Sequence, residues 1–341
     1  MNVSPKATIS NDFRRKYHNF ALCILNYAFD CLVCVSKLNN NLQVIYMINK
    51  EEFAKLLLNG PLILDGATGS NLQKAGMPRG CCTEQWILDN PNALVTLQRQ
   101  YAASGSQIIY APTFQAQPIA LQKVGLEKDT EKINEQLVRL SRSVSDAVFV
   151  AGNLTTLAAY TDSYDETCFD LLVENYRRQI KGLLAGGADL LAAETLMYPT
   201  EAEAILTAAE LEGAETVLYT FTMQQDGSLF SGRDAAPVLQ ELEQAGAFAV
   251  GFNCVAADDM LPGLVSRLRR YVKGPLVCKP NAGNPVIGND NLAHYPMNPE
   301  EFAHIQKDCY EMGASILGGC CGTSPDFIRA MCQNILSFNK M

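Results

Sequence analysis

A short apolar run that ends in small or polar residues and leads into a helical segment recurs eight times between residues 62 and 317. The runs are 62–64, 107–110, 148–151, 190–193, 217–221, 248–252, 275–278 and 315–317. Near-continuous apolar strands alternating with helices are the mark of a parallel sheet buried on both faces. Eight such units predict an α/β fold, a (β/α)8 TIM barrel, with an open doubly wound sheet as the structural alternative. Helical segments such as 134–147, 169–184 and 200–211 fill the intervals. The pairs Gly105-Ser106, Gly187-Ala188, Gly246-Ala247 and Gly313-Ala314 supply left-handed helix stops before the strands that follow them.

Orderly patterning begins near Met47. Asn49 and Glu52 form a capping box, Phe53, Leu56 and Leu57 make an apolar helix face, and Gly60 ends it. Residues 47–341 are therefore expected to form the barrel domain, and residues 1–46 a poorly ordered extension or the product of an upstream start codon. Within that extension Phe13-Arg14-Arg15-Lys16 precedes an apolar run at 20–35, the pattern of a signal peptide. Asn26 and Asp30 interrupt the run, no small-residue cleavage site is clear, and the run is too short to span a bilayer. Cys31 and Cys34 make a C-x-x-C outside any βαβ context, which is weak evidence for redox or zinc chemistry.

Composition narrows the partners. A net charge of -9 and a pI near 5.0 disfavour nucleic acid and anionic membrane and favour a small-molecule substrate. Twelve cysteines without regular spacing in a chain of 341 residues read as free thiols in a reducing, cytoplasmic compartment rather than as a disulfide framework. No sequence feature assigns an oligomeric state.

In a parallel barrel the functional groups gather at the C-terminal ends of the strands. That rule collects Asp65 after the first run, Glu194 after the fourth, Asn253 and Cys254 after the sixth, and Cys320 and Cys321 after the eighth. Cys320 and Cys321 lie in Gly318-Gly319-Cys320-Cys321-Gly322-Thr323, where two adjacent thiolates on one turn cannot easily pair with each other but can share a soft metal. Cys254 is the third ligand. Three thiolates with an open fourth position suit catalytic zinc, whereas a closed structural site would need a fourth protein ligand. Zinc with three thiolates is too rich in charge to make hydroxide well and suits the capture of a substrate thiol. Any single cysteine is more ordinarily a small buried residue, which remains the reading for Cys81-Cys82, Cys168, Cys278, Cys309 and Cys332. Cys81-Cys82 is expected to lie far from any strand end.

Asp65 and Glu194 could each be a helix N-cap. Together in one mouth they would seat a substrate ammonium, while turn amides at 66–69 could hold a carboxylate. An amino acid bearing a thiol satisfies all three features. Of three histidines, His294 and His304 precede the eighth run, and neither has partners that suggest a general base.

On these residues the chain resembles the homocysteine S-methyltransferase family. The likeness covers roughly residues 62–335 and is nearest to the homocysteine-binding module of cobalamin-dependent methionine synthase. It rests on Asp65-Gly66-Ala67-Thr68-Gly69, Glu194-Thr195, Gly251-Phe252-Asn253-Cys254, Pro280-Asn281-Ala282-Gly283 and the Gly-Gly-Cys-Cys-Gly-Thr turn. The resemblance implies methyl transfer to homocysteine to give methionine, with zinc on Cys254, Cys320 and Cys321. It places Asp65, Thr68, Glu194 and Asn253 around the substrate, Thr68 in the turn that receives the carboxylate. Ala111-Pro112-Thr113-Phe114 and Gly152-Asn153-Leu154-Thr155-Thr156 depart from the family pattern at two loops of the mouth. The chain ends soon after the eighth run, leaving no room for a folate barrel or a corrinoid-binding domain, and the Pro-Asn-Ala-Gly turn and the likeness to the methionine synthase module imply a separate methylated corrinoid protein as donor. The alternative is a small onium donor such as S-methylmethionine or a betaine, caged by members of Trp86, Tyr110, Phe114 and Tyr160. A non-catalytic zinc-thiolate store or docking protein is the alternative of another class.

Overall fold

The computed structural model describes residues 47–160, 166–288 and 293–338. The extension at 1–46, with its Cys31 and Cys34 pair, lies outside the described residues. Ten strands follow in chain order: β1 (Leu62–Ile63), β2 (Ile108–Tyr110), β3 (Phe149–Thr155), β4 (Leu190–Leu196), β5 (Val217–Phe221), β6 (Ala249–Ala256), β7 (Leu276–Asn281), β8 (Val286–Ile287), β9 (Ala293–His294) and β10 (Ile316–Leu317). Eight of them form one parallel sheet in the order β1-β10-β7-β6-β5-β4-β3-β2. A parallel bridge between Leu64 and Ile108 joins its two edges, so the sheet closes on itself as the eightfold repeat predicts. The Gln107 side chain strengthens that seam by accepting the Ile63 N–H at 3.0 Å.

Helices pack around this barrel, with Glu166–Ala185 and Pro199–Glu212 among the longest. Among the described residues no helix is long and apolar enough to cross a membrane. Gly187 and Gly246, read as helix stops, carry φ of 84° and 109°, where a side chain would strain the backbone.

The barrel interior is filled from the sheet itself. Leu62, Leu64, Ile108, Ala151, Leu190, Ala192, Leu218, Ala249, Val277 and Ile316 form one buried cluster. The helix Lys50–Leu57 packs against this cluster, and its Phe53 is fully buried. Asn49 accepts the Glu52 N–H in the expected capping box, and the Phe53 ring meets Phe248 edge-on at 4.9 Å. The Ile48 N–H donates to Asp189 O at 2.8 Å and the Thr216 hydroxyl donates to Ile48 O at 2.7 Å, which fastens the same segment to the strands.

Four strands run further than their apolar patterning suggests. β3, β4, β6 and β7 continue through Asn153, Glu194, Asn253 and Lys279, because ladder bonds do not depend on side-chain polarity and these polar groups find partners in the mouth. The antiparallel hairpin β8–β9, which follows β7, was not anticipated from the sequence.

Close strand packing sets one further requirement. A Cβ on Gly251 of β6 would lie 2.0 Å from the Val277 carbonyl oxygen on β7. Gly251→Ala is expected to cost about 3 kcal/mol or more, measured by urea unfolding; stability equal to wild type would contradict this packing.

Candidate active site

The register of β6 against β7 breaks between Asn253 and Ala256, and that of β4 against β5 breaks between Ala193 and Leu196. At these breaks stand the two non-glycine residues with left-handed backbone among the described residues, Cys254 at φ 58° and Thr195 at φ 60°. Each conformation costs about 1–3 kcal/mol and persists only where its surroundings impose it. Asn253 does so here. Its amide oxygen accepts the Thr195 N–H at 2.7 Å, its amide nitrogen donates to the Thr195 hydroxyl at 2.7 Å, and the same nitrogen lies 3.7 Å from Cys320 Sγ.

The second pair of thiols is held by its own turn. The Cys320 N–H donates to Pro280 O at 2.7 Å, and the Cys321 N–H to Asn281 Oδ1 at 3.1 Å. Thr323 donates its hydroxyl proton to Cys320 O at 2.7 Å and accepts the Ala67 N–H at 3.1 Å, tying the cysteine turn to the turn after β1. Glycine is required beside the cysteines: a Cβ on Gly319 would meet Thr323 Oγ1 at 2.5 Å, and one on Gly322 would meet the Tyr295 ring at 2.3 Å.

These anchors bring Cys254 Sγ to 3.5 Å from Cys320 Sγ and 3.8 Å from Cys321 Sγ, and all three sulfurs lie within 4.8 Å of one another. Zinc–sulfur bonds of about 2.3 Å in a tetrahedral shell separate sulfurs by roughly 3.8 Å, so the donor set fits a zinc ion. Without metal the three thiols share their protons unequally. Hydrogen bonds from Cys254 and Cys320 hold Cys321 well below the usual thiol range, and the Tyr295 hydroxyl adds to this. Cys254 is pushed up by its bonds to Cys320 and Cys321 and by burial.

A cavity of about 380 Å³ opens beside the sulfurs, lined by Asp65, Thr68, Glu194, Cys254, Lys279, Cys320 and Cys321 among others. Lys279 Nζ lies 3.3 Å from Glu194 Oε2 and 4.9 Å from the centre of the Tyr110 ring. Asn153 donates to the other Glu194 oxygen at 2.8 Å. Asp65 Oδ2 accepts the Tyr110 N–H at 2.8 Å, while Asp65 Oδ1 is buried and finds no partner. Burial pushes the Asp65 carboxyl up to about 7 against the lowering influence of Lys279. Burial also raises Glu194, again opposed by Lys279. Burial works against the Lys279 charge, but Glu194, Cys320 and Asp65 outweigh it and keep the ammonium protonated. Both partners of the Lys279–Glu194 pair thus rise, Glu194 through burial and Lys279 through the acidic groups around it. Two carboxyl groups facing one lysine leave room for a second cation.

Of the residues singled out from the sequence, Asp65, Thr68, Glu194 and the three cysteines line this cavity, whereas Asn253 is fully buried behind it and holds Thr195. Lys279, Asn153 and Tyr295 were missed. Lys279 offered the same signal as Glu194, a charged residue closing an apolar strand. The turn at 66–69 borders the cavity, and Ser70 Oγ beside it is buried without a partner. The loop with Cys81 and Cys82 is nearer than expected: Cys82 Sγ lies 3.7 Å from the carboxylate of Glu84, and Thr83 and Glu84 line the cavity. Tyr110 and Phe114 line it as well, but Trp86 and Tyr160 do not, and the Tyr160 ring carries Lys123 at 4.1 Å.

Residues 62–335 match the family described as homocysteine S-methyltransferase. The methionine synthase of Mycobacterium leprae is 25% identical over 297 residues, which is 82% of this chain and 24% of that protein. The methionine synthase of Mycobacterium tuberculosis is 25% identical over 298 residues, 82% of this chain and 25% of that protein. The chain thus spans about a quarter of the length of these curated relatives. Among solved structures, the metallated form of the homocysteine methyltransferase MmuM from Escherichia coli superposes with a TM-score of 0.69 at 25% identity, covering 82% of this chain and 99% of that one.

The environment of Asp65 makes stability depend on pH. Its folded pKa of about 7 stands above the ordinary 3.8, so it binds its proton more tightly in the fold. That contribution is complete below about pH 4 and is lost as pH rises to about 7. In metal-free protein, urea unfolding from about pH 5 to about pH 8 should lose roughly 2–3 kcal/mol more in wild type than in Asp65→Asn; parallel profiles would contradict this.

Proposed function

The chain belongs to the homocysteine S-methyltransferase family, and from that premise we propose that it transfers a methyl group to the thiol of homocysteine to give methionine, using zinc on Cys254, Cys320 and Cys321 and a methylated corrinoid protein as donor. The observation that carries this reading is the meeting of two features: three sulfurs at tetrahedral ligand spacing, and a cavity in which Asp65 and Glu194 share the single ammonium of Lys279. Zinc, when bound there, supplies the acidity that turns a substrate thiol into a thiolate while leaving it nucleophilic.

The chain's own residues do the rest. Asp65 Oδ1 and the Glu194 carboxylate receive the substrate ammonium, which supplies the missing positive charge and gives Asp65 Oδ1 a partner. The turn at 66–69, with Ser70 Oγ, receives the carboxylate. Lys279 and Asn153 hold the Glu194 side chain in place, and Asn253 keeps Thr195 and Cys254 in the backbone geometry that turns their groups toward the cavity. Corrinoid departs as a stable species and needs no proton from the protein, which agrees with a cavity lining without histidine among the described residues. A site of three thiolates needs a reducing compartment, and the nine free cysteines among the described residues support a cytoplasmic enzyme. The barrel domain is assigned to 47–341, with 1–46 as an extension outside it.

Two measurements test this reading. Zinc-loaded protein with homocysteine should form methionine from methylcobalamin and not from S-methylmethionine or betaine, and Cys320→Ser should lose both metal and turnover; methionine from an onium donor alone would overturn the choice of donor. Glu194→Gln should raise the homocysteine KM roughly tenfold or more through loss of a buried charge-assisted bond, and an unchanged KM would remove Glu194 from the ammonium site.

A further inference from the structure

Three side-chain atoms of the residues that line the cavity beside the sulfurs are buried without a partner among the described residues: Asp65 Oδ1, Ser70 Oγ and Asn153 Oδ1. The substrate ammonium and carboxylate take the first two, and Asn153 Oδ1 is left over. A second cavity, of about 600 Å³, shares Cys254 with the first and is lined by the carboxamides of Gln224, Gln225, Asn281 and Asn284 and by Asp226, but none of its lining side chains keeps such an atom. A buried acceptor left unbonded is costly, so its presence in the wall of a cavity points to what the cavity receives.

Two contacts decide which end of the Asn153 amide is the free one. Its Nδ2 donates to Glu194 Oε1 at 2.8 Å, while Lys279 Nζ holds Glu194 Oε2 at 3.3 Å. A carboxylate only accepts, so turning the amide over would set oxygen against oxygen. Oδ1 therefore stands as a neutral acceptor on a residue that is 4% exposed. The backbone beneath it is clamped. The Thr113 hydroxyl accepts the Asn153 N–H at 3.0 Å and donates to Asn153 O at 2.8 Å, and Gln179 Nε2 donates to Thr113 O at 2.7 Å. Thr113 and Gln179 are fully buried. Thr113 and Asn153 belong to 111–114 and 152–156, the two stretches of the mouth that depart from the family pattern, and the clamp is where those stretches meet.

A primary ammonium carries three N–H donors. Asp65 Oδ1, the Glu194 carboxylate and Asn153 Oδ1 offer it acceptors from the ends of β1, β4 and β3. A third carboxylate in this position would add to the repulsion already acting between Asp65 and Glu194, whereas a carboxamide accepts without adding charge. We propose that Asn153 is a specificity-determining residue of the acceptor site: its Oδ1 takes one N–H of the substrate ammonium, so that the site selects thiols bearing a primary ammonium over those whose amino group is methylated, acylated or missing. Thr113 is the positioning residue that holds it. The inference rests on the methyl-transfer reading above.

The test is calorimetric titration of the zinc-loaded full chain with homocysteine, with N-methylhomocysteine, which has one N–H fewer, and with the desamino analogue of homocysteine. Wild type should bind N-methylhomocysteine roughly tenfold or more weakly than homocysteine, and equal affinity overturns the third acceptor. Asn153→Ala should weaken homocysteine by roughly tenfold or more and the desamino analogue by less than about twofold; equal losses on both ligands, or none on homocysteine, overturn the contact. In the Glu194→Gln background Asn153→Ala should weaken homocysteine further, and no further loss would mean that Asn153 only holds Glu194, which overturns the contact as well. Thr113→Val should show a smaller loss confined to homocysteine and Thr113→Ser should restore it; a loss shared equally by the desamino analogue removes Thr113 from the positioning role. Wild type that binds homocysteine no better than the desamino analogue overturns the ammonium seat of the methyl-transfer reading itself, whatever the variants do.

Discussion

Holding three sulfur atoms in contact without joining them is the constraint on which the mouth of this barrel depends. The spacing of 3.5 and 3.8 Å around Cys254 requires that residue to leave ordinary strand geometry, and its φ of 58° is the consequence. Such strain survives because the barrel ladder beneath is rigid and because Asn253 and Thr195 bond each other twice in a buried setting. One clamp therefore serves two strands. It sets the break in β4 beside Glu194 and the break in β6 beside Cys254, so the acid and the thiol reach the mouth together.

Charge balance is the second organising element. Lys279 gives the acidic groups of the mouth one counter-ion, which they share. An unliganded site of this kind is costly: Asp65 keeps a buried oxygen without a partner and a carboxyl that ionises only near neutral pH. Stability is given up where a ligand can restore it. The two cavities that share Cys254 also differ in chemistry, one lined by Asp65, Glu84, Glu194 and Lys279, the other by four carboxamides and Asp226.

Much of this was legible in the chain. Apolar runs spaced by helices specify a parallel barrel because each strand must be buried on both faces, and the barrel rule then sends every strand-end residue to one rim. Asp65, Glu194, Cys254, Cys320 and Cys321 were identifiable on that ground alone. Asn253 lay on the same list but acts from behind the wall, since position at a strand end does not reveal which way a side chain points. Lys279 was passed over because it opens a turn noted for its Pro-Asn-Ala-Gly pattern. The β8–β9 hairpin and the approach of the Cys82 loop carry no period that a sequence pattern could register.

The sequence by itself determined the barrel, the rim on which the chemistry sits and the three thiols that share it, because hydrophobic periodicity and residue type are local properties. Only the tertiary structure decided which groups touch: the Lys279–Glu194 pair, the unpartnered Asp65 oxygen, the Asn253 clamp and the second cavity that shares Cys254. Each joins residues far apart in the chain, and their distances follow from barrel closure and strand register, which no local pattern encodes.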